Sequence, residues 1–114
     1  MKYESIIKMR CVFNKMKKNN RRLEDTQMYR AFLKLNSEEE VKAFLEDLCS
    51  MTELMAMEQR FEVARLLHRG LIYNAIMENT GASSAIISRV NRSLQYGAGG
   101  YGIVFDRLEA EEGE

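Results

Sequence analysis

The sequence predicts an all-α fold, and three observations carry that prediction. Proline is absent from all 114 residues, so no ring interrupts a helical hydrogen-bond ladder from within. From Glu24 to Leu108 apolar residues recur at spacings of three and four, the period that lays them along one face of a helix. Small polar residues stand where helix starts need a cap, at Ser37, at Ser50 or Thr52, and at Ser83, while Gly70 and Gly81 stand where helices end.

A chain of this length makes one domain, and is small enough that association of subunits would usefully enlarge its core. Formal net charge is zero, so no global positive field marks a nucleic-acid binder. The distribution is uneven, however: +7 over residues 1–22, −6 over 23–58, +3 over 59–96 and −4 over 97–114. Phosphate attraction, if the chain uses it, is therefore local. No apolar run approaches the ~18 to 20 residues that span a bilayer, and the first residues lack the hydrophobic core of a signal peptide. Cys11 and Cys49 are the only cysteines. They could pair, but without CxxC or a Cys/His cluster the simpler expectation is a reducing cytoplasm.

Taken in order, residues 1–22 read as a basic leader, mobile because its like charges repel and offer little to a core, although Lys17 to Arg22 could touch phosphates. Translation starting instead at Met9 or Met16 stays open. A first helix is expected over 24–35, with Met28, Ala31, Phe32 and Leu35 on one side and Glu24 and Asp25 near its amino end. The next spans 37–49, where Ser37 followed by Glu40 forms a capping-box pattern ahead of Val41, Phe44, Leu45 and Leu48. A long helix over 53–69 carries Leu54, Met57, Phe61, Val63, Ala64, Leu66 and Leu67 before Gly70 ends it. Met51, Met55 and Met57 read as core filling, since an unbranched thioether adapts to irregular gaps.

Residues 72–94 are the most informative stretch. Ile72 to Asn79 predicts a short helix with Ile76 facing inward, Tyr73 half-buried and no capping side chain at its start. Gly81 suits a corner of positive φ, and Ser83 caps a second helix carrying Ile86, Ile87 and Val90. Two short helices joined at a glycine corner outline a helix-turn-helix. Arg89 and Arg92 on the second helix, beside small side chains, suit a major groove flanked by phosphates. An ordinary helical hairpin fits the same spacing. The glycine-rich YGAGGYG over 96–102 reads as a flexible joint, 103–108 as a final short helix, and 109–114 as a loose acidic tail.

Catalysis finds little support. His68 is the only histidine, with no serine, cysteine or carboxylate pattern tied to it, and reads as a surface or interface residue. No HExxH and no phosphate-binding glycine loop occurs. The glycines of 97–102 follow a helix and precede no lysine. Neither an enzyme, a metal site nor a cofactor is expected.

The runs QRFEVARLLHRG (59–70) and TGASSAIISRVNRSLQYGAGGY (80–101) resemble the YerC/YecD group of the tryptophan repressor superfamily, whose members carry AQRxEVAxLLxxG and TGASxATISRVxRxLxYGxGGY elements. The resemblance covers 23–108 and implies a tryptophan repressor-like helical bundle that forms an intertwined homodimer. The function implied is a sequence-specific double-stranded-DNA-binding transcriptional regulator, a repressor, with its recognition helix over 84–94 in the major groove.

The resemblance further implies that Ser84, Ala85 and Ser88 face base edges and that Ser83 meets phosphate; from their charge and placement on the same helix, Arg89 and Arg92 are expected to help hold phosphate. Arg60 and Arg89 match two arginines that engage the corepressor in the tryptophan repressor, and Ser93 matches a serine near its amino group. Val90 stands where that repressor has glycine, and Ile86 where it has threonine, so control by tryptophan is not expected. An unknown small-molecule effector remains open. Ile72 also replaces a common capping threonine, and Met57-Glu58 is bulkier and more charged than the group's pattern. The other reading of the chain is a helical homodimeric interaction module without specific DNA binding.

Overall fold

A computed structural model describes residues 26–113. Among them are six α-helices and no strand: α1 (Met28–Phe32), α2 (Glu38–Leu48), α3 (Met51–His68), α4 (Tyr73–Thr80), α5 (Ser84–Tyr96) and α6 (Gly100–Glu112). The basic leader expected over 1–22, Cys11, and the expected helix start at Glu24 and Asp25 lie outside the described residues. The chain divides at Phe44/Leu45 into two compact units.

In the first unit α1 is shorter than the periodicity predicts. Leu33, Lys34 and Leu35 donate to carbonyls only three residues back, at 3.1, 3.0 and 3.3 Å, a tightened ending that closes the helix. Phe32 meets Phe44 edge to face at 5.2 Å between ring centres. At the start of α2, Ser37 Oγ accepts from Glu40 N at 3.2 Å. The Glu40 carboxylate reaches back one residue further than a capping box requires, accepting from Asn36 N at 2.8 Å. Neither α1 nor α2 contains a buried residue.

The second unit is built on α3, whose start at Met51 precedes the expected one. Ser50, rather than Thr52, is the cap. Its Oγ accepts from Glu53 N at 3.1 Å while Glu53 Oε1 accepts from Ser50 N at 2.9 Å, a complete capping box. These bonds hold the Glu53 carboxyl below the usual carboxylate range. At the other end Gly70, with φ +88°, closes a Schellman motif: Leu71 N donates to Leu66 O at 3.1 Å and Gly70 N to Leu67 O at 3.0 Å.

Helix α3 packs against α5 and α4, and α4 packs against α5. The core so formed comprises Val63, Ala64, Leu66, Ile76, Ala82, Ile87, Val90 and Phe105, ringed by half-buried side chains that include Leu67, Tyr73, Ile86 and Leu94. Burying each large aliphatic or aromatic side chain contributes about 1.5 to 3 kcal/mol. The methionines behave differently from the expectation: Met51 is 66% exposed and Met55 61%, so neither fills this chain's core. Cys49 is a free, half-buried thiol whose Sγ lies 3.9 Å from Met57 Sδ.

The carboxyl end also corrects the expectation. Instead of a joint, a short helix and a loose tail, residues 97–99 make a tight turn and α6 runs on to Glu112. Gly97 is required there because a Cβ would stand 2.3 Å from Ser93 O, and Gly99 has φ +87°. Phe105, 3% exposed, anchors α6 among Phe61, His68 and Tyr101, whose ring centres lie 5.6, 4.9 and 5.8 Å away. Carboxylates in a last helical turn oppose the helix dipole, but His68 Nε2 meets Glu109 Oε1 at 2.7 Å. The Arg65 guanidinium adds Coulombic attraction towards Glu112. His68 thus has a carboxylate partner that its sequence neighbourhood hid.

Candidate nucleic-acid interface

The α4–turn–α5 segment is fixed from three directions. Gly81 takes the left-handed conformation, φ +71° and ψ 5°, and donates its N–H to Met77 O at 2.9 Å. Thr80 Oγ1 donates to Ile76 O at 2.7 Å and accepts from Ala82 N at 3.2 Å, so one hydroxyl bridges the end of α4 and the turn. From α3, Gln59 Nε2 donates to Thr80 O at 3.1 Å. Ala82 is 2% exposed. Ser83 then caps α5, its Oγ accepting from Ile86 N at 3.2 Å. The first helix is held by packing instead: Ile72 supplies no capping bond, and Ile76 is fully buried.

Helix α5 presents two unlike sides. Ile87 and Val90 are 0% and 3% exposed, and Ile86 and Leu94 pack against the same core. At ~100° per residue, Ser84, Ser88, Asn91 and Gln95 align in one row, and Ala85, Arg89, Arg92 and Tyr96 in the next. Of these eight all but Asn91 are exposed. Gln95 Nε2 donates to Asn91 Oδ1 at 3.2 Å, ordering the carboxyl half of the first row. Ser84, Ala85 and Ser88 are short enough to let the helix backbone approach a surface closely. Neither Arg89 nor Arg92 has an acidic partner among the described residues, so both cations are available.

The residues expected to line a ligand pocket divide in the same way. Val90 belongs to the core and Ile86 leans on it, whereas Arg60, Arg89 and Ser93 are exposed. Arg60 sits on α3 and likewise has no acidic partner among the described residues. Thr80 and Gln59, which set the turn, escaped the sequence reading. A threonine directly before a corner glycine was a usable signal for Thr80, but nothing local could tie Gln59 to a residue 21 positions on.

Comparison with known proteins agrees with this architecture. The family described as Trp repressor protein matches residues 24–109. The chain belongs to the Trp repressor family. Its members are DNA-binding regulators rather than enzymes, and the matched span takes in α1 to α5 and most of α6 while leaving the basic leader outside. The uncharacterized protein YerC of Bacillus subtilis is 43% identical over 88 residues, covering 77% of this chain and 85% of YerC. A TrpR-like protein from Eubacterium eligens superposes with a TM-score of 0.70 at 49% identity, covering 73% of this chain and 86% of that one. A Staphylococcus aureus structure, described as a candidate Trp repressor, gives 0.70 at 40% identity, covering 73% and 83%. Among the described residues, no helix of this Trp repressor family member is long and apolar enough to cross a membrane.

Proposed function

We propose that the chain is a sequence-specific double-stranded-DNA-binding transcriptional repressor that works as an intertwined homodimer and inserts α5 into the major groove. The observation that carries this reading is the outer side of α5, where small side chains at Ser84, Ala85 and Ser88 lie beside Arg89 and Arg92, cations without an acidic partner among the described residues, on a helix whose other side is locked in the core. Small polar groups near the amino end read base edges, the Ser83 end of the helix offers a backbone N–H or hydroxyl to phosphate, and the arginines hold the sugar-phosphate walls. Val90 and Ile86 fill with protein the space an indole would need, which supports a regulator that does not depend on free tryptophan.

A salt-dependent gel shift tests the reading. The native chain is expected to bind duplex DNA with an affinity that falls steeply as salt rises. Arg92→Ala should weaken specific and random duplexes alike and lower the salt slope by about one unit, whereas Ser88→Ala should change preference among related sites. A dimer that binds no duplex at all would instead favour the interaction module. Variants that fold and leave the binding profile unchanged would remove this side of α5 from the interface.

A further inference from the structure

The second row on α5 ends in an aromatic residue. Tyr96 closes the line Ala85, Arg89, Arg92, Tyr96. It is 80% exposed, and its hydroxyl has no partner among the described residues. It stands at the end of the helix, where Gly97 N donates to Ser93 O at 2.9 Å and a Cβ at Gly97 would stand 2.3 Å from Ser93 O. A large ring exposed to water at a helix end, in register with two arginines that have no acidic partner among the described residues, leaves apolar area that a contact would bury.

We propose that Tyr96 is a DNA-backbone contact, its hydroxyl donating to a phosphate oxygen while its ring lies against the adjoining sugar. The inference rests on α5 being the recognition helix. Twelve residues separate Ser84 from Tyr96, about 18 Å along the axis, and the major groove is only about 8.5 Å deep. With the small side chains of the first turns at the base edges, the last turn lies level with the groove wall. There an amphipathic side chain with an apolar body and a polar tip suits sugar and phosphate. Charge separates its role from that of its neighbours. Arg89 and Arg92 displace counterions when they bind phosphate, and a neutral phenol displaces none.

Equilibrium titration of the full chain with a labelled random-sequence duplex at several salt concentrations tests this, comparing Tyr96→Phe, Tyr96→Ala and Arg92→Ala. Tyr96→Phe should weaken binding about ten-fold, the scale of one hydrogen bond to a charged group, with the logarithmic salt slope unchanged. Tyr96→Ala should weaken it further at the same slope, while Arg92→Ala lowers the slope. Tyr96→Phe binding as tightly as the native chain would overturn the assignment, whatever Tyr96→Ala does. So would a Tyr96→Ala chain that sediments at half the native mass, since a second copy would then be what covers the ring. Loss of all duplex binding by the native chain would overturn the reading of α5 and this inference with it. Native binding with an unaffected Tyr96→Phe overturns the inference alone.

Discussion

Two glycines show how differently a single residue can be constrained. Gly81 has φ +71° with open space where a Cβ would go, whereas Gly97 has an ordinary φ and a Cβ position 2.3 Å from a backbone oxygen. Gly81→Ala therefore costs the left-handed backbone strain alone, about 1 to 2 kcal/mol. Gly97→Ala forces the end of α5 to move, and its urea midpoint should fall below that of Gly81→Ala. The glycine corner was legible in the sequence because the turn chemistry is local. The contact at Gly97 was not, since glycine-rich composition reads as flexibility until the path of the chain is known. Val90 carries a second expectation at this scale. Two methyl groups in the core at 3% exposure make insertion of an indole an overpacking problem of about 1 to 3 kcal/mol, comparable with much of a small ligand's affinity. Calorimetry with L-tryptophan up to millimolar concentration should give no saturable heat, and DNA binding should not tighten in its presence. Saturable heat with a tighter complex would mean that α5 shifts to open the slot.

Among the helices, those whose boundaries rest on local chemistry were the readable ones. Ser37 opens α2, and Ser83 opens α5, by bonds that span three residues, whereas at α3 the sequence left Ser50 and Thr52 open and the structure selects Ser50. The length of α6 depends instead on Phe105 being buried among rings from α3 and on His68 meeting a carboxylate 41 positions away, and no window along the chain contains those partners. The capping box also fixes a pH dependence. Glu53 is held below its ordinary carboxylate range by the Ser50 backbone N–H and then its hydroxyl. Its ionised form is thus favoured in the folded state, and its contribution is present above the ordinary range and lost as pH falls through the lowered value. The Glu62 carboxyl, lowered by its bond to Arg65, with Nε–Oε2 at 2.9 Å, follows the same sign. Glu53→Ala should therefore lower the urea midpoint at neutral pH, and the two curves should converge as the medium becomes acidic. A gap that is constant across pH would mean that α3 is held by packing and not by its cap.

For the molecule as a whole, the decisive feature is apolar surface that remains exposed among the described residues. Apolar residues are spread round the circumference of helix α3, interspersed with charged ones, so it presents apolar side chains on more than one side. Val63, Ala64 and Leu66 in its carboxyl half are buried, while Met51 and Met55 in its amino half are 66% and 61% exposed and Phe61, just past its middle, is 37% exposed. On α1 and α2 no residue is buried, and on α6 Ile103, Val104 and Leu108 are 53%, 43% and 41% exposed. Side chains with this spacing cost stability in water and would gain it by meeting the same surfaces on a second copy in a two-fold interface. Such a dimer would also give the proposed recognition helix a second copy about one turn of DNA, roughly 34 Å, away. Sedimentation at micromolar concentration should give a mass near two chains of 13.2 kDa. Met55→Glu makes the test specific. On the exposed surface of a monomer the change should be close to neutral, because the methionine there touches mainly water. Across an apolar subunit interface it buries an unpaired charge, and should drive the chain towards the monomer mass and weaken DNA binding in parallel. A Met55→Glu protein that stays at two chains would show that this part of α3 is not at the interface. A native monomer that binds its specific DNA would remove the dimer altogether.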